Sequence, residues 1–199
     1  MLAAQLFLVL AVLAVAFASD YNVTLSSRSD TTCVCTSVPC PISGHNPLDE
    51  GGSALVTYFY TMHGDQPVVT SAEGTIYPSS LDKGTDTTSC TQSYSRMMDD
   101  DGVKDCDAGH ILAHRLGGLG QQPTNIFPQD ASINRGAYAQ FEGKIYECVA
   151  SGTKSASLSW TFKYESTTRT KPNHIYYNAQ FDGGDCTDGL SGSFANDSP

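Results

Sequence analysis

Three short stretches of this chain, with one glutamate beyond them, hold residue types that could share one piece of chemistry. Asp107-Ala108-Gly109-His110 sets a carboxylate and an imidazole close together, with a glycine beside the histidine. A glycine there lets the backbone pass close to a neighbour while the ring stays outside it. Asn125-Ile126-Phe127-Pro128-Gln129 and Asn134-Arg135-Gly136-Ala137-Tyr138 follow, then Glu142. Imidazole titrates near neutrality, so His110 suits proton transfer. Singly, each residue is ordinary. A lone histidine is more often structural, and an asparagine ahead of a helix is usually an N-cap. His110 and His114 stand four apart, the zinc-binding spacing on a helix, but no glutamate follows His110 and the glycines nearby oppose a helix. The run Asp99-Asp100-Asp101 reads as a solvated acidic loop, with a calcium loop as the alternative.

The elements that must hold these residues can be read coarsely. Ser53 to Met62 is β-branched and aromatic, and His63 to Pro67 is turn-like, so 53–77 is expected to be a hairpin. Residues 78–105 read as a long polar connection. Gly109 to Leu116 reads as a strand running into a loop, with Gly117, Gly118 and Gly120 after it, and 121–130 reads as loop. Tyr138, Phe141, Ile145 and Val149 fall at helical spacing, which predicts an amphipathic helix over 137–149. Strands are expected over 158–164 and 175–181. The order of strands, one helix, then strands is α+β, with an antiparallel sheet core.

The chain has 199 residues and a formal net charge of −10, with 11 Lys+Arg against 21 Asp+Glu. At 40% hydrophobic and 16% charged it is not a disordered composition. A broad basic face for gripping nucleic acid is not expected from that balance. Yet Arg96 to Lys171 holds most of the cations, which leaves room for a local positive cleft. Residues 1–18 carry no charged side chain and end in Ala16-Phe17-Ala18, which reads as a secretory signal peptide with its cleavage site. The protein is therefore expected to be secreted and extracellular, with no membrane contact once the leader is removed. Seven cysteines then read as a disulfide framework, and no C-x2-C pair supports a zinc site. A bridge from Cys106 or Cys148 would brace the motif region. Asn22-Val23-Thr24 and Asn196-Asp197-Ser198 are glycosylation sequons. The expected layout is a signal over 1–18, an irregular cysteine-containing arm over 19–50, one domain over 51–190 and a loose tail over 191–199.

Taken in order, D-x-G-H, N-x3-Q, N-x-G-x-[WY] and a glutamate eight residues after that asparagine resemble the DNA/RNA non-specific endonuclease family, the ββα-metal nucleases. The stretch from Asp107 to Gly118 is similar to the toxin branch, which also carries Ala at position 108. The resemblance implies a ββα-metal active-site motif and a metal-dependent endonuclease that hydrolyses DNA and RNA with little sequence preference. It assigns His110 as general base and Asn134 as direct ligand of Mg²⁺, or of another divalent ion such as Mn²⁺. Glu142 lies about 12 Å along the helix from Asn134, so it is expected to act on the metal through water, as is Asp107. Asn125 is expected to donate to nearby backbone or phosphate. Arg135, Arg115 and Arg96 are the candidates for substrate phosphate, in place of the arginine that many members carry where this chain has Ala108. Toxin-branch relatives often have an inhibitor protein, so the resemblance implies a possible inhibitor of unknown identity. The alternative reading is a catalytically weak nuclease-like secreted effector or binding protein.

Overall fold

The computed structural model describes residues 48–64, 66–98 and 106–197. The leader, the first sequon, three cysteines of the arm and the acidic run at 99–101 lie outside them.

Six strands form one antiparallel sheet in the order β1-β2-β3-β6-β7-β8. They are β1 Leu48–Asp49, β2 Leu55–His63, β3 Gln66–Ile76, β6 Ser155–Lys163, β7 His174–Asp182 and β8 Leu190–Ala195. Register aligns Tyr58 with Ala72, Ala72 with Trp160, and Trp160 with Tyr177. All four are buried, so one row across the sheet faces the core. The expected hairpin is β2–β3, with a register shift between Phe59 and Tyr60.

A second ribbon pairs β4 Asp107–His110 with β5 Ile126–Gln129. One face of it packs on helix α1, Ser89–Met98, through Ile126, Tyr94 and Met98. The other face meets the helical segment that runs through α2, Ala131–Ile133, a wide turn at Asn134–Tyr138 and α3, Ala139–Ala150. There the Phe127 and Tyr138 rings meet edge to face at 6.3 Å. Helix α3 buries Phe141, Ile145 and Val149 against the sheet, the stripe its periodicity predicts. Cys148 at its end is bonded to Cys186 beyond β7, so a bridge from Cys148 does brace this region.

Three expectations need correction. The polar connection 78–105 contains α1, whose first turn is held by Thr88 and Thr91. The backbone N–H of Thr88 donates to Thr91 Oγ1 at 2.9 Å, and that of Thr91 to Thr88 Oγ1 at 3.2 Å. The loop 121–130 contains β5, too short and too proline-broken for a strand pattern to register. The tail, expected to be loose from 191, is not so over 191–195: β8 pairs with β7 and buries Phe194. The asparagine of the second sequon, Asn196, is fully buried and donates to the Pro128 and Pro172 carbonyls at 3.0 and 2.7 Å. A glycan on that nitrogen is incompatible with this packing. Among the described residues no helix is long and apolar enough to cross a membrane.

Candidate active site

Strand β4 carries the motif, and its alternation sends Asp107 and His110 to different neighbours. Asp107 faces the helical segment. Asp130 caps that segment by accepting the Ser132 N–H at 2.7 Å, and Asn134 N–H donates to the Asp130 carbonyl at 2.8 Å. Gly136 then leaves helical geometry, with φ −110° and ψ −109°. This kink delivers Asn134 and Arg135 to one carboxylate. Asn134 Nδ2 donates to Asp107 Oδ2 at 2.9 Å. Arg135 donates through Nε to Oδ2 at 2.8 Å and through Nη2 to Oδ1 at 2.6 Å.

That arrangement fixes which atom of Asn134 is available. Its nitrogen is spent on Asp107, so Oδ1 is the group left for a hard cation, and Mg²⁺ takes oxygen donors. Among the described residues no three His, Cys, Asp or Glu side chains converge as a metal cluster. A cation here would take Asn134 Oδ1, with water and substrate oxygens completing its shell. The residues present fit such an ion. Asp107 has both oxygens engaged by nitrogen donors, so its observed part is to orient Asn134. Arg135 spends its planar fork on Asp107 rather than standing free for phosphate.

His110 belongs to a second group. Its Nε2 lies 3.1 Å from the Thr85 carbonyl oxygen. A carbonyl only accepts, so Nε2 holds the ring proton and Nδ1 keeps its lone pair. Burial holds the imidazole below its ordinary value, and nearby His114 pushes the same way, against the Thr85 carbonyl and Asp86. His114 is no second ligand beside it: its Nδ1 pairs with Asp86 Oδ1 at 3.2 Å. Gly120 makes the close approach possible, because a Cβ there would stand 2.5 Å from His110 Nε2. Thr91 Oγ1, on α1, donates to the Gly120 carbonyl at 2.8 Å and fixes that loop.

The remaining candidates make other contacts. Asn125 is fully buried and bonds the Leu112 N–H and carbonyl, so it grips backbone rather than phosphate. Glu142 is buried, and desolvation pushes its carboxyl well above the ordinary range, with Arg115 the cation opposing that shift. Among the described residues no hydrogen bond joins Glu142 to Asp107, Asn134 or His110. The Arg115 guanidinium lies 4.2 Å above the Tyr146 ring. Arg96, exposed on α1, bonds Ser93 at 3.2 Å. The residues that sequence reading missed are Thr85, whose contact is a backbone carbonyl with no side-chain signature, and Gly120, noted only as part of a glycine-rich loop.

The model of the DNA/RNA non-specific endonuclease family matches residues 57–183, which takes in β4, β5, the helical segment and most of the sheet. Over 121 residues, 61% of the chain, the protein is 36% identical to a protein named probable deoxyribonuclease RhsA of Dickeya dadantii (strain 3937). The matched segment is 8% of that relative's length. NucA from Streptococcus agalactiae with no metal bound has a similar fold, with a TM-score of 0.56 at 14% identity over 73% of this chain and 72% of that one. The same protein with a magnesium ion bound gives a TM-score of 0.52 at 14% identity, over 77% of each chain. With a match across most of its length to that family's model, the chain belongs to the DNA/RNA non-specific endonucleases.

Proposed function

We propose that this protein is a secreted, metal-dependent endonuclease that hydrolyses phosphodiester bonds of DNA and RNA. The observation that carries the reading is the His110–Thr85 contact. In the neutral ring it keeps the proton on Nε2 and leaves Nδ1 unprotonated, the form a general base needs. His110 Nδ1 takes a proton from water as that water attacks phosphorus. Burial keeps the ring neutral before the step. Asn134 Oδ1 would hold a divalent ion, which when bound supplies positive charge to the phosphate and the leaving oxygen. Asp107 and Arg135 keep the Asn134 amide turned the right way. Contacts to phosphate carry no base information, so weak sequence preference follows.

A deoxyribonuclease name on the RhsA relative and the bound magnesium in the NucA structure support this reading. The test is degradation of plasmid DNA and of RNA with Mg²⁺ and with EDTA, beside His110→Ala. Wild type should degrade both polymers only with the metal. Equal degradation by His110→Ala would overturn the assignment.

A further inference from the structure

Beneath the glycine-rich loop lies a buried polar chain that the proposed chemistry does not use. Glu50 is 6% exposed, and Tyr58 and Asn125 are fully buried. Glu50 Oε2 accepts the Leu119 N–H at 2.8 Å. Its Oε1 lies 2.9 Å from the Tyr58 hydroxyl, which lies 3.0 Å from Asn125 Oδ1. The Asn125 amide is fixed in orientation. Its Oδ1 accepts from Leu112 N–H at 2.8 Å, and its Nδ2 donates to the Leu112 carbonyl at 3.0 Å. A half-turn would set donor against donor and acceptor against acceptor, so Oδ1 accepts from Tyr58 as well.

A phenol has one proton to give. Two acceptors face it here, Asn125 Oδ1 and Glu50 Oε1. Both contacts are full two-centre hydrogen bonds only when Glu50 Oε1 carries a proton of its own. Glu50 then donates to the Tyr58 oxygen, and Tyr58 donates to Asn125.

We propose that Glu50 is a positioning residue whose proton completes the relay Glu50 to Tyr58 to Asn125 and so holds the 112–120 loop against His110. The loop is gripped at Leu112 by Asn125, at Leu119 by Glu50, and ends at Gly120 on the His110 ring. When the proton leaves, Tyr58 turns to the carboxylate and Asn125 loses its donor. The chemistry of the surroundings agrees. Burial pushes Glu50 up to about 7, against the pull of the Leu119 N–H and the Tyr58 hydroxyl. From β2 the titratable group facing it is Tyr58. The 117–119 turn contributes backbone only. The 79–84 turn contributes backbone to the adjoining Gly51 cradle, with the Lys83 side chain exposed. The folded chain thus holds a proton that the unfolded chain releases near 4.5. The stability it supplies is whole below that value and is lost as pH rises through the folded value.

Glu50→Gln tests this, since its amide donates to Tyr58 and accepts from Leu119 without titrating. The melting-temperature gap between wild type and Glu50→Gln should widen by about 5 °C or more from pH 5 to pH 8.5, in favour of Glu50→Gln. A gap that does not change with pH overturns the proposal, and this arm needs no nuclease activity. The activity arm rests on the nuclease reading: plasmid nicking by wild type should fall at least threefold relative to Glu50→Gln between the same two pH values. Parallel profiles overturn the link to His110 while leaving the nuclease reading intact. Should Glu50→Gln not fold, Tyr58→Phe replaces it. With the relay cut, nicking should be low and lack the alkaline fall, and a profile like wild type overturns the proposal.

Discussion

Arg135 closes on Asp107 with two hydrogen bonds, and Asp107 in turn takes the Asn134 amide. The Arg135 side chain is 73% exposed, so the ion pair adds little to stability. Its consequence is geometric: Asp107 decides which way Asn134 Oδ1 points. Asp107→Ala should therefore raise the Mg²⁺ concentration needed for half-maximal nicking by about tenfold or more, while the melting temperature stays near wild type. Arg135→Ala, which leaves the Asn134–Asp107 bond in place, should raise it less. An unchanged Mg²⁺ requirement in Asp107→Ala would show that the amide needs no such partner.

His110 predicts a pH limb with a definite sign. Burial keeps the folded imidazole below its usual 6.5, so protonation that disables the base occurs only below that value. The acid midpoint of nicking should fall below pH 6.5, and His110→Ala should lose about a hundredfold or more in rate. The same shift stabilises the fold above the unfolded value, and that contribution is lost as pH falls through the folded one. A midpoint above 6.5 would point to a base other than this half-buried ring.

Part of this was legible in the residues themselves. The β2–β3 hairpin declares itself by β-branched and aromatic content around a turn, and α3 by helical periodicity. The helix α1 was not legible, because Ser89-Cys90-Thr91-Gln92-Ser93 is polar and forms on a Thr88–Thr91 cap and on packing against β4–β5. The burial of Glu142 and the pairing of Arg135 with Asp107 are long-range facts. They join residues far apart in the chain, which no local pattern announces. Arg135, expected on phosphate, is bonded to Asp107 in this structure.

Gly120 should be the position least able to accept a side chain near the base. A Cβ there would stand 2.5 Å from His110 Nε2 and 2.6 Å from the Asp86 carbonyl oxygen. Gly120→Ala must move the ring or the loop, and the overpacking should cost about 1–3 kcal/mol in urea unfolding. Nicking should fall further than that loss explains at temperatures where the variant is fully folded. Gly143→Ala is the control: its nearest neighbour would be Arg115 Nη1 at 3.7 Å, an ordinary contact. Within a helix that change should gain up to about 1 kcal/mol and leave nicking alone. Full nicking by Gly120→Ala would mean that the His110 wall tolerates displacement.

The Cys148–Cys186 bond joins the end of α3 to the chain beyond β7 across a sequence separation of 38. Closing a loop of that size restricts the unfolded chain by an amount worth about 4 kcal/mol. Thr153 Oγ1 already donates to the Cys148 carbonyl at 2.7 Å, so the helix end stays in register without the bond. The double variant Cys148→Ser with Cys186→Ser should consequently lose about 4 kcal/mol of unfolding free energy. Its nicking rate and Mg²⁺ requirement at low temperature should match wild type, because Asn134 and Asp107 lie at the other end of the helical segment. A variant with unchanged stability would contradict the entropic account. One that keeps its stability but loses its Mg²⁺ response would show that the bond reaches the Asn134 end through α3.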